Sequence, residues 1–192
     1  SGGAFDPTAG SAAPGFAAVR LERAGRRVSF ARPGVRLDLG GIGKGYALDA
    51  AAAAMRRAGV RSALLNFGGQ LLALRAPPGL GAWKVALAGS DAALTLRDRS
   101  VSVSSQGEQP GHLLDPRTGR AAPGLGSVAV VARDAADADA WSTALFVGGR
   151  AAARRFDGCA LSLEPGSEAA VPFAGECAPY LQLRQGVPAG KR

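Results

Sequence analysis

The sequence predicts an α+β domain. Three observations carry that expectation: several short runs of apolar and β-branched residues, two Ala-rich stretches long enough for helices, and glycine or proline at nearly every junction between them. At 192 residues the chain can bury a core of its own, so one domain spanning 1–192 is expected.

Taken in order, Val35 to Leu39 reads as a strand feeding the turn Gly40-Gly41-Ile42-Gly43, and Tyr46 to Ala58 as a helix ended by Gly59. Arg61 to Asn66 and Gln70 to Arg75 read as strands around Gly68-Gly69, with another at Trp83 to Ala88. Ser100 to Ser104 alternates Ser and Val with the period of a strand that has one buried face, and His112 to Leu114 is expected to continue it. Asp115-Pro116-Arg117-Thr118-Gly119 has the chemistry of a turn. Ser127 to Ala132 is a Val-rich strand, and Ala136 to Val147 a helix closed by Gly148-Gly149. The tail, 165–192, is Gly- and Pro-rich and reads as loop with an edge strand at Tyr180 to Leu183.

Composition narrows the function classes. A net charge of +8 suggests a polyanionic partner, but the basic residues occur as scattered pairs such as Arg26-Arg27, Arg56-Arg57 and Arg154-Arg155, with few aromatics between them. Arg-, Ala- and Gly-rich coding explains the charge without nucleic acid, and none is expected as a partner. No apolar run approaches the roughly 20 residues of a bilayer span. Cys159 and Cys177 are too far apart for a C-x-x-C motif, which leaves both a disulfide and two buried thiols open. The chain opens on Ser1, and an upstream segment is expected.

Three constellations bear chemistry. The glycine turn with Lys44 presents amides, a positive helix end and a point charge to an anion, although glycines serve equally in a turn that only packs helix on strand. Asp139 and Thr143 are four residues apart and share a helix face, offering the hard oxygens that magnesium accepts beside phosphates. On spacing alone, an exposed Asp and a Thr bonded back to its own helix explain those letters more simply. His112, the sole histidine, has the chemistry of a general base and is equally an ordinary partly buried residue.

Order and context join these signals, because five blocks resemble the ApbE family of FAD:protein FMN transferases. They are Gly3-Ala4-Phe5-Asp6-Pro7-Thr8, the stretch Leu37 through Asp49, Asn66-Phe67-Gly68-Gly69, the stretch His112 through Gly119, and Ala138 through Ala144, together spanning roughly residues 1–149. The resemblance implies a fold akin to the T-fold. It also implies magnesium-dependent transfer of FMN from FAD, as substrate, to a Ser or Thr hydroxyl of an acceptor protein of the redox-complex subunit type, with release of AMP.

By the same resemblance, Asp139, Thr143 and the carbonyl of Gly43 hold the metal, and His112 takes the acceptor proton. Gly40, Gly41, Gly43 and Lys44 lie against phosphate, and Asp49 lies near the nucleotide. The family usually works on the periplasmic or cell-envelope side of the bacterial inner membrane, often through a lipid anchor on an N-terminal segment. This chain lacks the family's N-terminal portion, has Gln70 where an acid is usual, and has Ser102-Val103-Ser104-Ser105 in place of Ser-Thr-Ser-Gly. The family's closing strands are not evident after Gly149. The competing expectations are a FAD pyrophosphatase releasing FMN and AMP, and a non-catalytic flavin-binding relative.

Overall fold

The computed structural model describes residues 1–11, 15–106, 111–123, 126–164 and 166–183. A hairpin of β1 (Val19–Glu22) and β2 (Arg27–Phe30) comes first, followed by α1 (Gly43–Arg57). Next are β3 (Ala63–Phe67), β4 (Gln70–Leu74), β5 (Trp83–Ala86), β6 (Ala92–Leu96) and β7 (Arg99–Ser105). A small hairpin, β8 (Leu114–Asp115) with β9 (Arg120–Ala121), leads to β10 (Ser127–Ala132) and α2 (Ala135–Ala153). The chain then adds β11 (Cys159–Leu163), β12 (Ala170–Ala174) and β13 (Leu181–Leu183).

Six strands form one antiparallel sheet in the order β12-β11-β10-β7-β4-β3, and β13-β6-β5 form a second. The strand period divides the core between the two faces of the large sheet. Val128, Val130 and Ala160 point to α2 and pack with Ala138, Leu145 and Phe146. Their neighbours Ala129, Val131 and Leu161 point the other way, onto Leu94 and Leu96 of the small sheet. Leu94, Leu96, Leu145 and Leu161 are fully buried, each contributing about 1.5–3 kcal/mol. Leu48 and Ala52 seat α1 beside α2, against Leu72 and Leu74 of β4. A disulfide joins Cys159 on β11 to Cys177, just before β13, and so ties the two sheets together.

The α+β expectation holds, with several departures. The segment 35–39 joins no ladder among the described residues; the amide of Asp38 donates instead to the Pro7 carbonyl at 2.7 Å. Leu114 does not continue β7 but pairs with Ala121 across the Asp115–Gly119 turn. The second helix begins one residue early and continues past the expected stop, although Gly149, at φ 54° and ψ −144°, does break it. The closing strands that the sequence hides are β11 and β12. β11 is buried along its whole length, and β12 sits at the sheet edge, where Pro172 is tolerated. The part of the tail at 184–192 lies outside the described residues.

Candidate active site

The site grows from the place where α1 and α2 cross. α1 leaves the glycine turn with Ile42 as its N-cap, and the amides of Ile42 and Gly43 both donate to the Leu39 carbonyl, at 3.0 and 2.6 Å. The crossing is a backbone contact, because a β-carbon at Gly45 would stand 2.1 Å from the Ala135 carbonyl oxygen. Asp139, in the second turn of α2, is thereby brought onto the first turn of α1.

Asp139 is 2% exposed and its carboxylate is fully engaged. The Gly45 amide donates to Oδ2 at 3.0 Å. Lys44 Nζ donates to Oδ1 at 3.0 Å and also to the Gly40 carbonyl at 3.2 Å, while the Ser102 hydroxyl lies 3.5 Å from Oδ1. A buried carboxylate lacking such partners would cost several kcal/mol, which these donors and the ammonium offset.

The serines of β7 face α2 rather than water. Ser104 Oγ lies 2.8 Å from Ser142 Oγ and 3.3 Å from Thr143 Oγ1. Thr143 therefore shares a polar seam with β7, one helical turn beyond Asp139. A β-carbon at Gly41 would stand 3.2 Å from Thr143 Oγ1 and 2.9 Å from the Phe5 ring, so the turn packs tightly on both. Gln70, 2% exposed, donates from Nε2 to the Ala135 carbonyl at 2.7 Å, and its Oε1 has no hydrogen-bond partner among the described residues.

These groups line a cavity of about 700 Å³, whose walls include Gly40, Gly41, Lys44, Asp139, Thr143 and His112. That volume falls in the range of small-molecule sites. His112 is exposed on the wall formed by the segment before β8. Beyond it, Arg117 makes two 2.8 Å hydrogen bonds to the Asp115 carboxylate and thereby holds it below the usual carboxylate range, against a smaller opposing effect of burial.

Asp6 lies on the facing wall. Partial burial pushes its carboxyl up, but hydrogen bonds from the Thr8 hydroxyl (2.6 Å), the Thr8 amide (2.8 Å) and the Phe16 amide (3.0 Å) together outweigh burial and leave it lowered.

Two candidate residues stand apart from the cavity wall. Gly43 is the first residue of α1, so its carbonyl falls within the helix's own hydrogen-bond ladder; the turn carbonyl linked to Asp139 through Lys44 is that of Gly40. Asp49 grips the start of α2: Oδ1 accepts from the Ala135 amide and Oδ2 from the Ala136 amide, both at 2.9 Å. Its carboxylate thus satisfies helix donors that otherwise have no partner. Near that helix start, partial burial and then the charges of Asp134, Asp49 and Asp157 raise the Asp137 carboxyl.

Asp6, Gln70, Ser102 and Ser104 line the cavity but were not singled out as site residues from the sequence. The F-D-P-T block was the available signal for Asp6. For the serines the signal was the Ser102-Val103-Ser104-Ser105 stretch that stands in place of Ser-Thr-Ser-Gly, since their alternation alone looks like that of any half-buried strand. Among the described residues, no group of three or more His, Cys, Asp or Glu gathers as a metal cage.

The chain is similar to known proteins over most of its length. The ApbE family model matches residues 1–160. An FAD:protein FMN transferase of Rhodobacter capsulatus is 37% identical over 139 residues, covering 65% of this chain and 26% of that protein. One from Klebsiella pneumoniae is 35% identical over 147 residues, covering 67% and 44%. The chain thus spans less than half the length of these relatives. The ApbE protein of Thermotoga maritima superposes with a TM-score of 0.71 at 28% identity, covering 85% of this chain and 61% of that one. The Pseudomonas stutzeri flavinyl transferase ApbE, in its apo form, gives 0.71 at 26%, covering 85% and 56%. With the family model running through most of its length and the same fold in solved relatives, the chain belongs to the ApbE family.

Proposed function

We propose that this chain transfers the FMN half of FAD to a serine or threonine hydroxyl of an acceptor protein, releasing AMP, with magnesium beside the pyrophosphate. The observation that carries the reading is the convergence on one cavity of a buried carboxylate, a glycine turn and the sole histidine, in a chain similar to FAD:protein FMN transferases.

The donor set fits magnesium. Asp139, Thr143 and the Gly43 carbonyl are hard oxygens, and a cation, the Lys44 ammonium, already lies on Asp139 Oδ1 and on the Gly40 carbonyl of the same turn. Magnesium, when bound, neutralises pyrophosphate charge and stabilises the departing phosphate. The chain's own groups account for the remaining work. The glycine turn and Lys44 bring amides and a positive charge to the pyrophosphate. His112 accepts the proton of the acceptor hydroxyl, whose oxygen forms a bond to the FMN phosphorus. The bond from that phosphorus to the bridging oxygen breaks, and AMP leaves with the electron pair. The Cys159–Cys177 disulfide supports action in an oxidising compartment such as the periplasm.

The test is incubation with FAD, magnesium and a Ser/Thr acceptor peptide, followed by mass spectrometry and AMP assay. Peptide carrying FMN together with equimolar AMP is the expected result. AMP and FMN without adduct would make the protein a FAD pyrophosphatase, and FAD binding without either product would make it a flavin-binding relative.

A further inference from the structure

Lys44 and Asp139 are bound to each other at the point where the proposed function requires a divalent cation. Asp139 Oδ2 is fixed by the Gly45 amide, a backbone contact that does not move without the helix crossing. Oδ1 is different, since its short contact is to a side chain that is 37% exposed. The stem of Lys44 passes over Gly68, where a β-carbon would stand 3.4 Å from Lys44 Cδ, so the turn between β3 and β4 leaves it room. Asp6 and Asp38, the other carboxylates on this cavity, are engaged by the amides of Thr8, Phe16 and Gly40. Of the three carboxylates, Asp139 is the one that Lys44 contacts.

An ammonium and a divalent ion cannot both sit within about 4 Å of one such oxygen without strong mutual repulsion. We propose that Lys44 and the divalent cation are alternative partners of Asp139 Oδ1, so that the lysine withholds the carboxylate from metal until a diphosphate draws the ammonium away. This rests on the magnesium reading above. Diphosphate offers Lys44 a replacement anion and supplies the metal with further oxygens, so each ligand strengthens binding of the other by the same factor. The consequence is a site with low affinity for free divalent ions that assembles only around substrate.

The test is a titration with Mn²⁺, reading free metal by electron paramagnetic resonance, on the wild type, Lys44→Met, Lys44→Arg and Asp139→Asn. Each is checked for an intact thermal transition and titrated with and without FAD, with FAD alone as a blank. Without FAD, Lys44→Met should bind Mn²⁺ about tenfold tighter than wild type, a coupling of ordinary size, whereas Lys44→Arg should not gain. With FAD, wild type should recover most of that difference. Equal or weaker Mn²⁺ binding by Lys44→Met would overturn the proposal, because a lysine that merely supports the site cannot hinder metal. Wild-type binding by Asp139→Asn would instead remove the magnesium reading itself.

Discussion

Gly45 and Ala135 meet backbone to backbone, with no room for a methyl group between the α1 chain and the Ala135 carbonyl. The close approach that brings Asp139 to Lys44 runs through that contact. Gly45→Ala should therefore destabilise the protein by about 3 kcal/mol, the upper range for overpacking, seen as a lower urea midpoint at unchanged slope. Gly43→Ala is the control. Its β-carbon would lie 3.7 Å from that of Leu39, an ordinary contact, so stability should hold.

Asp139 does two separable things: it accepts from the Gly45 amide and it supplies negative charge. Asp139→Ala should lose transfer activity and also about 1–3 kcal/mol of stability, since a buried amide is left without an acceptor. Asp139→Asn should recover most of the stability but not the activity. Thr143→Ala should be milder in rate, because water replaces a neutral hydroxyl in a magnesium shell. Thermal melts and single-turnover transfer rates on the three variants check this.

His112 is predicted to act on the proton rather than on substrate binding. His112→Ala should lower FMN transfer by about 10²–10⁴-fold, the usual contribution of a placed base, while FAD affinity stays within about twofold. His112→Asn should be nearly as slow, since an amide does not accept the proton. A loss of FAD affinity in proportion to the loss of rate would show that the residue packs or binds instead.

Asp6 carries a pH dependence of known sign. Its carboxyl lies lower in the folded protein than in the unfolded chain, so its stabilising contribution is complete above the unfolded value of about 3.9 and is lost as pH falls through the lower folded value. Asp6→Asn should be less stable than wild type at pH 7, and the gap should close in strong acid. Denaturant midpoints from pH 7 to pH 2 measure it.

The serines of β7 mark how far the sequence can be read. Their alternation with valine identified the strand, as did the Val-rich run of β10 and the Ala-rich stretches of the two helices. Which face was buried was not legible: Ser100, Ser102 and Ser104 are at most 9% exposed, whereas Val103 is 46% exposed. Polar residues went inside because α2 supplies Asp139, Ser142 and Thr143 opposite them, a partnership between segments distant in sequence. The contacts of Asp49 were hidden for a related reason. Its neighbours in sequence belong to the glycine-turn block, but its partners are the first amides of α2, which only the helix crossing brings near. β11 escaped notice because a short apolar run beside Gly158 has no period to identify it.

The order β13-β6-β5 also bears on how the molecule is made. β6 hydrogen-bonds on one side to its sequence neighbour and on the other to β13, which follows the other strands of the described residues. While the chain is being synthesised, Leu94 and Leu96 therefore wait for a lid that is made after the other described strands. Cys177 emerges only a few residues ahead of β13, so covering this half of the core and joining it covalently to β11 become one late event. Long-range pairing of this kind is slow, and the unfinished sheet presents an open edge while it waits.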